Sequence, residues 1–293
     1  MSQEAPQPEP NAIDAALLAA AVRLLADDHP GVSASARARL LRAGAAALPP
    51  LRVGSESADV LLRARCRSML RAFEVKDSLA RFSRLRLGDD GRSPAGPVLE
   101  GAVLLAKMVR TFVPDASDLV AILRYHATEL QARCAGRSLP VCARLLAEQL
   151  HGVVGLRGAP SDATTLDHVS IDRVLTGRIG SPVALSLVYL LVARWAGLSA
   201  SGVAIPGHFL VRLHGERPVL VDPFHGGRAV TKADAARYLR GAGHHPVLPH
   251  LRDLDDRELL LCHLRALREA ARLRPAEHAL QSLGRAEALL ETS

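Results

Sequence analysis

His208 opens the apolar run "HFLVRL" (208–213), and Asp222 stands near the end of "PVLVDP" (218–223), with "HGER" (214–217) between them as a hairpin turn. If His214 lies opposite Arg217, His208 falls opposite position 223 and diagonal to Asp222, so the two polar groups are expected within reach of one another. A carboxylate that holds an imidazole is the base-and-orienter half of a nucleophilic triad. The same pair has a plainly structural use, tying two strands together where either group left alone would be costly to bury.

A triad also needs a nucleophile, and the segment built to present one is "IGSPVALSLVYLLVARWAGL" (179–198). Ser181 suits a helix N-cap, Pro182 suits the first helical position, and Gly197 supplies the stop. The helix expected over 182–196 is apolar on nearly every side, with Arg194 its only charge, so most of its faces must be buried. Pro182, in its first turn, has neither thiol nor hydroxyl. Ser181 is better employed as the cap, and Ser186, one turn further in, is expected to face the interior. Cys66, Cys134, Cys142 and Cys262 lie far from this helix in sequence, although Cys134 or Cys142 could approach it in space. They form no C-x-x-C pair, so buried free thiols are expected rather than zinc ligands or disulfides.

The remaining histidines carry less. His225 in "DPFHGG" is expected to cap a loop in which Gly226 and Gly227 permit positive φ. His244, His245 and His250 in "GAGHHPVLPH" could make a weak metal site but read better as solvated loop. Neither a metal nor a cofactor is expected.

The elements that must position these groups come from 293 residues, enough for two ordinary cores. Aromatic residues make up only 3% of the chain, so Leu, Val and Ala must fill the interior, which favours helices. The net charge of +7 is almost wholly arginine, since lysine occurs only at Lys76, Lys107 and Lys232. That is the bias of a GC-rich bacterial genome, and no basic run is interleaved with aromatics that could stack on bases, so nucleic acid is disfavoured as a partner. The start, "MSQEAPQPEP", has neither the basic nor the apolar region of a signal peptide. The apolar run ending at Ala193 is about 12 residues, short of the roughly 20 a membrane span needs. A cytoplasmic protein is expected.

Residues 1–11 read as a disordered tail, followed by an N-terminal helical region over 12–88 with helices near 13–26, 33–47 and 57–73. "DDHPGVS" and "LPPLRVGSES" mark the breaks between these helices, and "LGDDGRSPAG" (87–96) reads as a linker. Helices near 97–110, 116–134, 138–152 and 182–196 precede three short strand-type runs, "SGVAI", "HFLVRL" and "PVLVDP". Helices near 231–240, 254–272 and 275–291 follow, the last two as a hairpin within 250–293. The expected class is α+β, mostly α, with a small antiparallel sheet beside a buried central helix.

Three of these stretches, "LTGRIGSPVALSLVYLLVARWAGL", "GVAIPGHFLVRL" and "VDPFHGG", resemble in order the transglutaminase-like superfamily and, within it, the bacterial SirB-type branch. The resemblance covers about residues 97–240 and implies a fold in which a catalytic cysteine opens the central helix, where backbone N–H groups and the helix dipole favour thiolate. His208 and Asp222 match the family's His and Asp positions, whereas Pro182 stands where active members carry the cysteine. The N-terminal phrase "AGAAALPPLR" (43–52), with "ARARLLR" and "LRARCRSMLR", resembles the inter-repeat turn of HEAT-type helical repeats. The C-terminal hairpin resembles one tetratricopeptide unit. Two functions follow as expectations. The first is a non-catalytic member acting in binding or assembly, with a protein partner at the helical region or the residual cleft. The second is a hydrolase or acyl transferase of papain or transglutaminase type, with an unconventional Ser or Cys nucleophile and the His208–Asp222 pair.

Overall fold

A computed structural model describes residues 10–90, 93–160, 165–241, 243, 251–273 and 277–292. The chain divides into two compact units, residues 1–77 and 78–293. The first unit contains α1 (Pro10–Arg23), α2 (Pro30–Ala43), α3 (Leu48–Gly54) and most of α4 (Val60–Phe82). Leu18, Val22, Leu40, Leu51, Cys66 and Met69 are among the residues of its own core. α1 begins two residues inside the expected tail, and α4 runs nine residues past its expected end. The stretch "LPPLRVG", read above as part of a break, is helical. Its prolines occupy the first turn, where a missing N–H costs no hydrogen bond.

The second unit begins with α5 (Ala95–Val109), α6 (Ala116–Cys134) and α7 (Leu139–Ala147). A two-residue strand β1 (Arg157–Gly158), the short helices α8 (Leu166–Val169) and α9 (Ile171–Gly177), and β2 (Ile179–Gly180) follow. β1 and β2 pair in parallel immediately before α10 (Pro182–Trp195). Next come β3 (Ala200–Ile205), β4 (His208–Leu213), β5 (Val219–Asp222), β6 (Arg228–Val230) and α11 (Lys232–Gly241). α12 (Asp256–Arg272) and α13 (Glu277–Thr292) close the unit and both pack on α5. The four longer strands form one antiparallel sheet in the order β3-β4-β5-β6.

α10 is the centre of this unit: every residue from Val183 to Ala193 is buried, against α5, α6, α12 and the sheet. Its ends are those the sequence marks. Ser181 Oγ accepts from the Ala184 N–H at 3.4 Å, Pro182 is the first helical residue, and Gly197 follows the last turn with φ +82°.

The one charge on α10 is buried too. Arg194 donates from Nη1 to Asp256 Oδ1 at 2.6 Å and from Nε to the Ala200 carbonyl at 2.9 Å. Asp256 in turn accepts from the Gly88 N–H at 3.3 Å and donates its own N–H to the Gly88 carbonyl at 3.1 Å. One ion pair thus joins α10, the start of α12 and the segment ahead of α5. Burial raises the Asp256 carboxyl above its ordinary range in spite of Arg194.

His263 on α12 is fully buried, and neither ring nitrogen has a hydrogen-bond partner among the described residues. Burial alone pulls the imidazole from 6.5 down to about 4. Below pH 6.5 the unfolded chain binds a proton that the folded chain refuses. Stability that depends on a neutral His263 is therefore whole above 6.5 and is lost as the pH falls through about 4. The loss reaches about 3 kcal/mol by that point. His263→Leu should flatten this slope, which denaturant midpoints near pH 7 and pH 5 would show; equal losses in both proteins would exclude His263 as the cause.

Candidate functional site

Local geometry brings His208 to the site first. Pro206 and Gly207 are the two central residues of the β3–β4 turn, since Ile205 pairs with His208. Gly207 takes φ +73°, and proline followed by a left-handed glycine is the signature of a type II turn. Tyr238 of α11 fixes this turn from outside by donating to the Pro206 carbonyl at 3.2 Å.

Asp222 arrives on the neighbouring strand in a register one residue away from the one expected. Val211 pairs with Val221, where the sequence reading would pair it with Leu220. The reason lies in the connection: Pro218 has no N–H to give a ladder, so β5 begins at Val219 and five residues, 214–218, join the strands. The shift matters because one residue of register exchanges the faces of a strand. The observed pairing, continued outward, puts Leu210 opposite Asp222, so His208 and Asp222 share a face. Leu210 lines the same cleft as both of them.

On that face His208 Nε2 lies 2.9 Å from Asp222 Oδ1, with side-chain exposures of 11% and 4%. The third member is His225, expected from the sequence only to cap a loop. Its backbone N–H donates to Asp222 Oδ1 at 3.2 Å, and its Nδ1 lies 2.8 Å from Oδ2. Gly226 and Gly227 both take positive φ, as expected, and the Gly227 N–H closes the turn on the Asp222 carbonyl at 2.8 Å. The signal available in the sequence was the Asp-x-x-His spacing, which inside a tight turn folds the imidazole back on the carboxylate. Arg228, paired with Asp222 across β5 and β6, adds its Nε at 3.8 Å from Oδ2. The ring of Phe224 stands edge-on to His208 at 5.7 Å.

The electrostatics follow from these contacts. Burial pushes the Asp222 carboxyl up, but hydrogen bonding and charge from His208, then from His225, outweigh it and hold the group below its ordinary range.

The cleft beside these groups has a volume of about 450 Å³. Ser181 and Pro182, at the start of α10, line it together with His208 and Asp222. The four sequence-derived candidates are therefore neighbours. Among the described residues no cysteine lines this cleft. Cys142 packs instead against the end of α6, its Sγ 3.8 Å from the Cys134 carbonyl. Ser186 is fully buried and donates to the Phe209 carbonyl at 3.3 Å, so its hydroxyl is already engaged. Ser181 Oγ is occupied as the cap of α10. The arrangement can hold and orient a proton at His208 beside an open cleft. His244, His245 and His250 lie outside the described residues.

A family model described as the transglutaminase-like superfamily matches residues 117–265. A protein named UPF0162 protein from Xylella fastidiosa (strain 9a5c) is 39% identical over 71 residues, 24% of this chain and 25% of that protein. One of the same name from strain Temecula1 / ATCC 700964 is 46% identical over 59 residues, 20% of this chain and 21% of the relative. The matches thus span a quarter or less of the length of these curated relatives. No solved structure matches.

Proposed function

Because the chain belongs to the transglutaminase-like superfamily, we propose that it is a non-catalytic member of the SirB-type branch, acting in binding or assembly through the cleft at the start of α10. One observation carries this reading: Pro182 opens the buried helix beside the His208–Asp222 pair. The helix start that would turn a cysteine into thiolate is occupied by a residue with no nucleophilic atom. A protein segment is the proposed ligand class. The cleft offers apolar wall from Ile205, Leu210 and Phe224 and charge from Arg228 and Asp234. A cytoplasmic place of action goes with the reading, supported by four cysteines that are all free thiols. Among the described residues no helix is long and apolar enough to cross a membrane.

The test is covalent labelling with a thiol-directed haloacetamide and a serine-directed fluorophosphonate. The native chain should show no labelling that depends on His208. Pro182→Cys, in contrast, should gain haloacetamide reactivity at least about tenfold above a free thiol at neutral pH, and lose the gain in a His208→Ala background. Labelling of the native chain that disappears with His208→Ala would sink the reading and favour the second function, a hydrolase or acyl transferase with an unconventional nucleophile, a cysteine if the haloacetamide labels and a serine if the fluorophosphonate does.

A further inference from the structure

The His208–Asp222–His225 cluster contains more than a structural pair requires. Strand pairing needs only the His208 bond, and the His225 N–H already meets the same Asp222 Oδ1, yet a second imidazole converges on the carboxylate at Oδ2. The three ligating atoms, one per residue, all lie within 4.8 Å of one another. Two nitrogens and a carboxylate oxygen form the donor set that zinc, iron(II) and cobalt(II) accept, and with neutral rings the set carries a single negative charge.

From this convergence we propose that the cleft binds one divalent transition-metal ion on His208 Nε2, Asp222 and His225 Nδ1. The proposal rests on the reading of the cleft as a binding site and adds the ion as part of what recognises the ligand. Tetrahedral ligands on bonds of about 2.0–2.1 Å stand about 3.3 Å apart, so each imidazole must draw back about 0.5 Å from its own Asp222 oxygen, while all three ligand atoms, now within 4.8 Å of one another, settle around one centre. Metal binding then replaces the two N–H protons that face Asp222. A neutral ring shifts its displaced proton to the far nitrogen, and an imidazolium, already protonated there, gives the displaced proton to solvent. Asp222 is held ready by the His225 N–H, and the three protein ligands leave a coordination position open to the cleft, where a carboxylate or carbonyl of the bound segment would enter. Arg228, whose Nε lies 3.8 Å from Asp222 Oδ2, opposes the ion's charge, but its side chain is 67% exposed and can swing into solvent.

The experiment uses the full chain without an affinity tag, stripped with chelator and titrated with cobalt(II), followed by its visible ligand-field absorption, and with zinc by competition calorimetry. One ion per chain is expected, with the intense absorption of a four- or five-coordinate site. His225→Ala, a half-exposed position that should not disturb folding, should weaken binding at least about tenfold. Arg228→Ala should tighten it, a change that a purely structural cluster would not produce. The triple variant His244→Ala, His245→Ala, His250→Ala should bind as the native chain does. The proposal is overturned if the native chain gives no stoichiometric ion, if His225→Ala binds unchanged, or if the triple variant abolishes binding. Each of those results leaves the labelling test of the binding reading standing, so the two fail separately.

Discussion

Arg194→Met is expected to cost about 3–5 kcal/mol of folding stability, the range found when one partner of a buried ion pair is removed. The side chains of Arg194 and Asp256 are 3% and 1% exposed, so the surviving carboxylate has no solvent to turn to. It would also sit at the first residue of α12 with, among the described residues, only the Gly88 N–H at 3.3 Å to accept from. Asp256 already titrates above its ordinary range, because burial outweighs the arginine. Losing the arginine raises it further, and the variant escapes part of the penalty by protonating. A carboxyl with a raised folded pKa adds stability on the acid side and loses it as the pH rises, so the deficit of Arg194→Met should shrink as the pH falls towards 5. The double variant Arg194→Met/Asp256→Leu should recover most of the loss at neutral pH. It removes both charges at once, together with the buried Arg194 Nη2 that has no partner among the described residues. Urea unfolding of the native chain, Arg194→Met, Asp256→Leu and the double variant at pH 7 measures the coupling. A single-variant cost below about 1 kcal/mol, or a double variant no better than Arg194→Met, would show that the pair is not what joins these segments.

That pair marks where sequence reasoning stops. The burial of α10 and both its ends could be read from residues 179–198 because the signals are local: a cap, a proline and a glycine act within one turn of themselves. What Arg194 does with its charge could not, since its partner lies 62 residues away and nothing in either segment names the other. The same distinction divides the site. His208 and Asp222 were legible because a hairpin puts them near one another whatever its exact register. That they share a face was not, because it hinges on Pro218 standing outside β5, and the expected register, one residue away, would set them on opposite faces. His225 was legible as a turn residue and missed as a second imidazole on Asp222, because the fold of six residues, 222–227, decides where its ring points. The parallel pair β1–β2 and the short helices α8 and α9 are two to seven residues long, too short for periodicity to register. They nonetheless lead directly into Ser181, whose N–H donates to the His168 carbonyl at 2.7 Å. The start of α10 is thus fixed by contacts the sequence does not advertise.

Gly227→Ala is expected to be the most damaging single methyl group at the site. The residue takes φ +74°, a conformation that costs an alanine about 1–2 kcal/mol. A Cβ there would lie 2.6 Å from Ala147 Cβ and 2.8 Å from the Tyr189 hydroxyl, and, decisively, 3.0 Å from Ala147 Cα. α7 backbone cannot rotate away as a side chain can, so the turn itself must move, adding an overpacking cost of about 1–3 kcal/mol. The two costs together come to about 2–5 kcal/mol, again enough to threaten a domain of ordinary stability. The turn that moves is the one whose Gly227 N–H closes on the Asp222 carbonyl and whose middle carries His225. Stability and site should therefore fail together. Tyr189 offers a way to separate strain from clash, because its buried hydroxyl has no partner among the described residues and its removal in Tyr189→Phe should be nearly neutral alone. Combined as Gly227→Ala/Tyr189→Phe, it should return about 1 kcal/mol by clearing the 2.8 Å contact, while the φ penalty and the Ala147 backbone contact remain. Thermal unfolding of the four proteins reads this directly. Gly227→Ala unfolding within about 1 kcal/mol of the native chain would mean that the Asp222–Gly227 turn is not held against α7 and α10 as closely as these distances state.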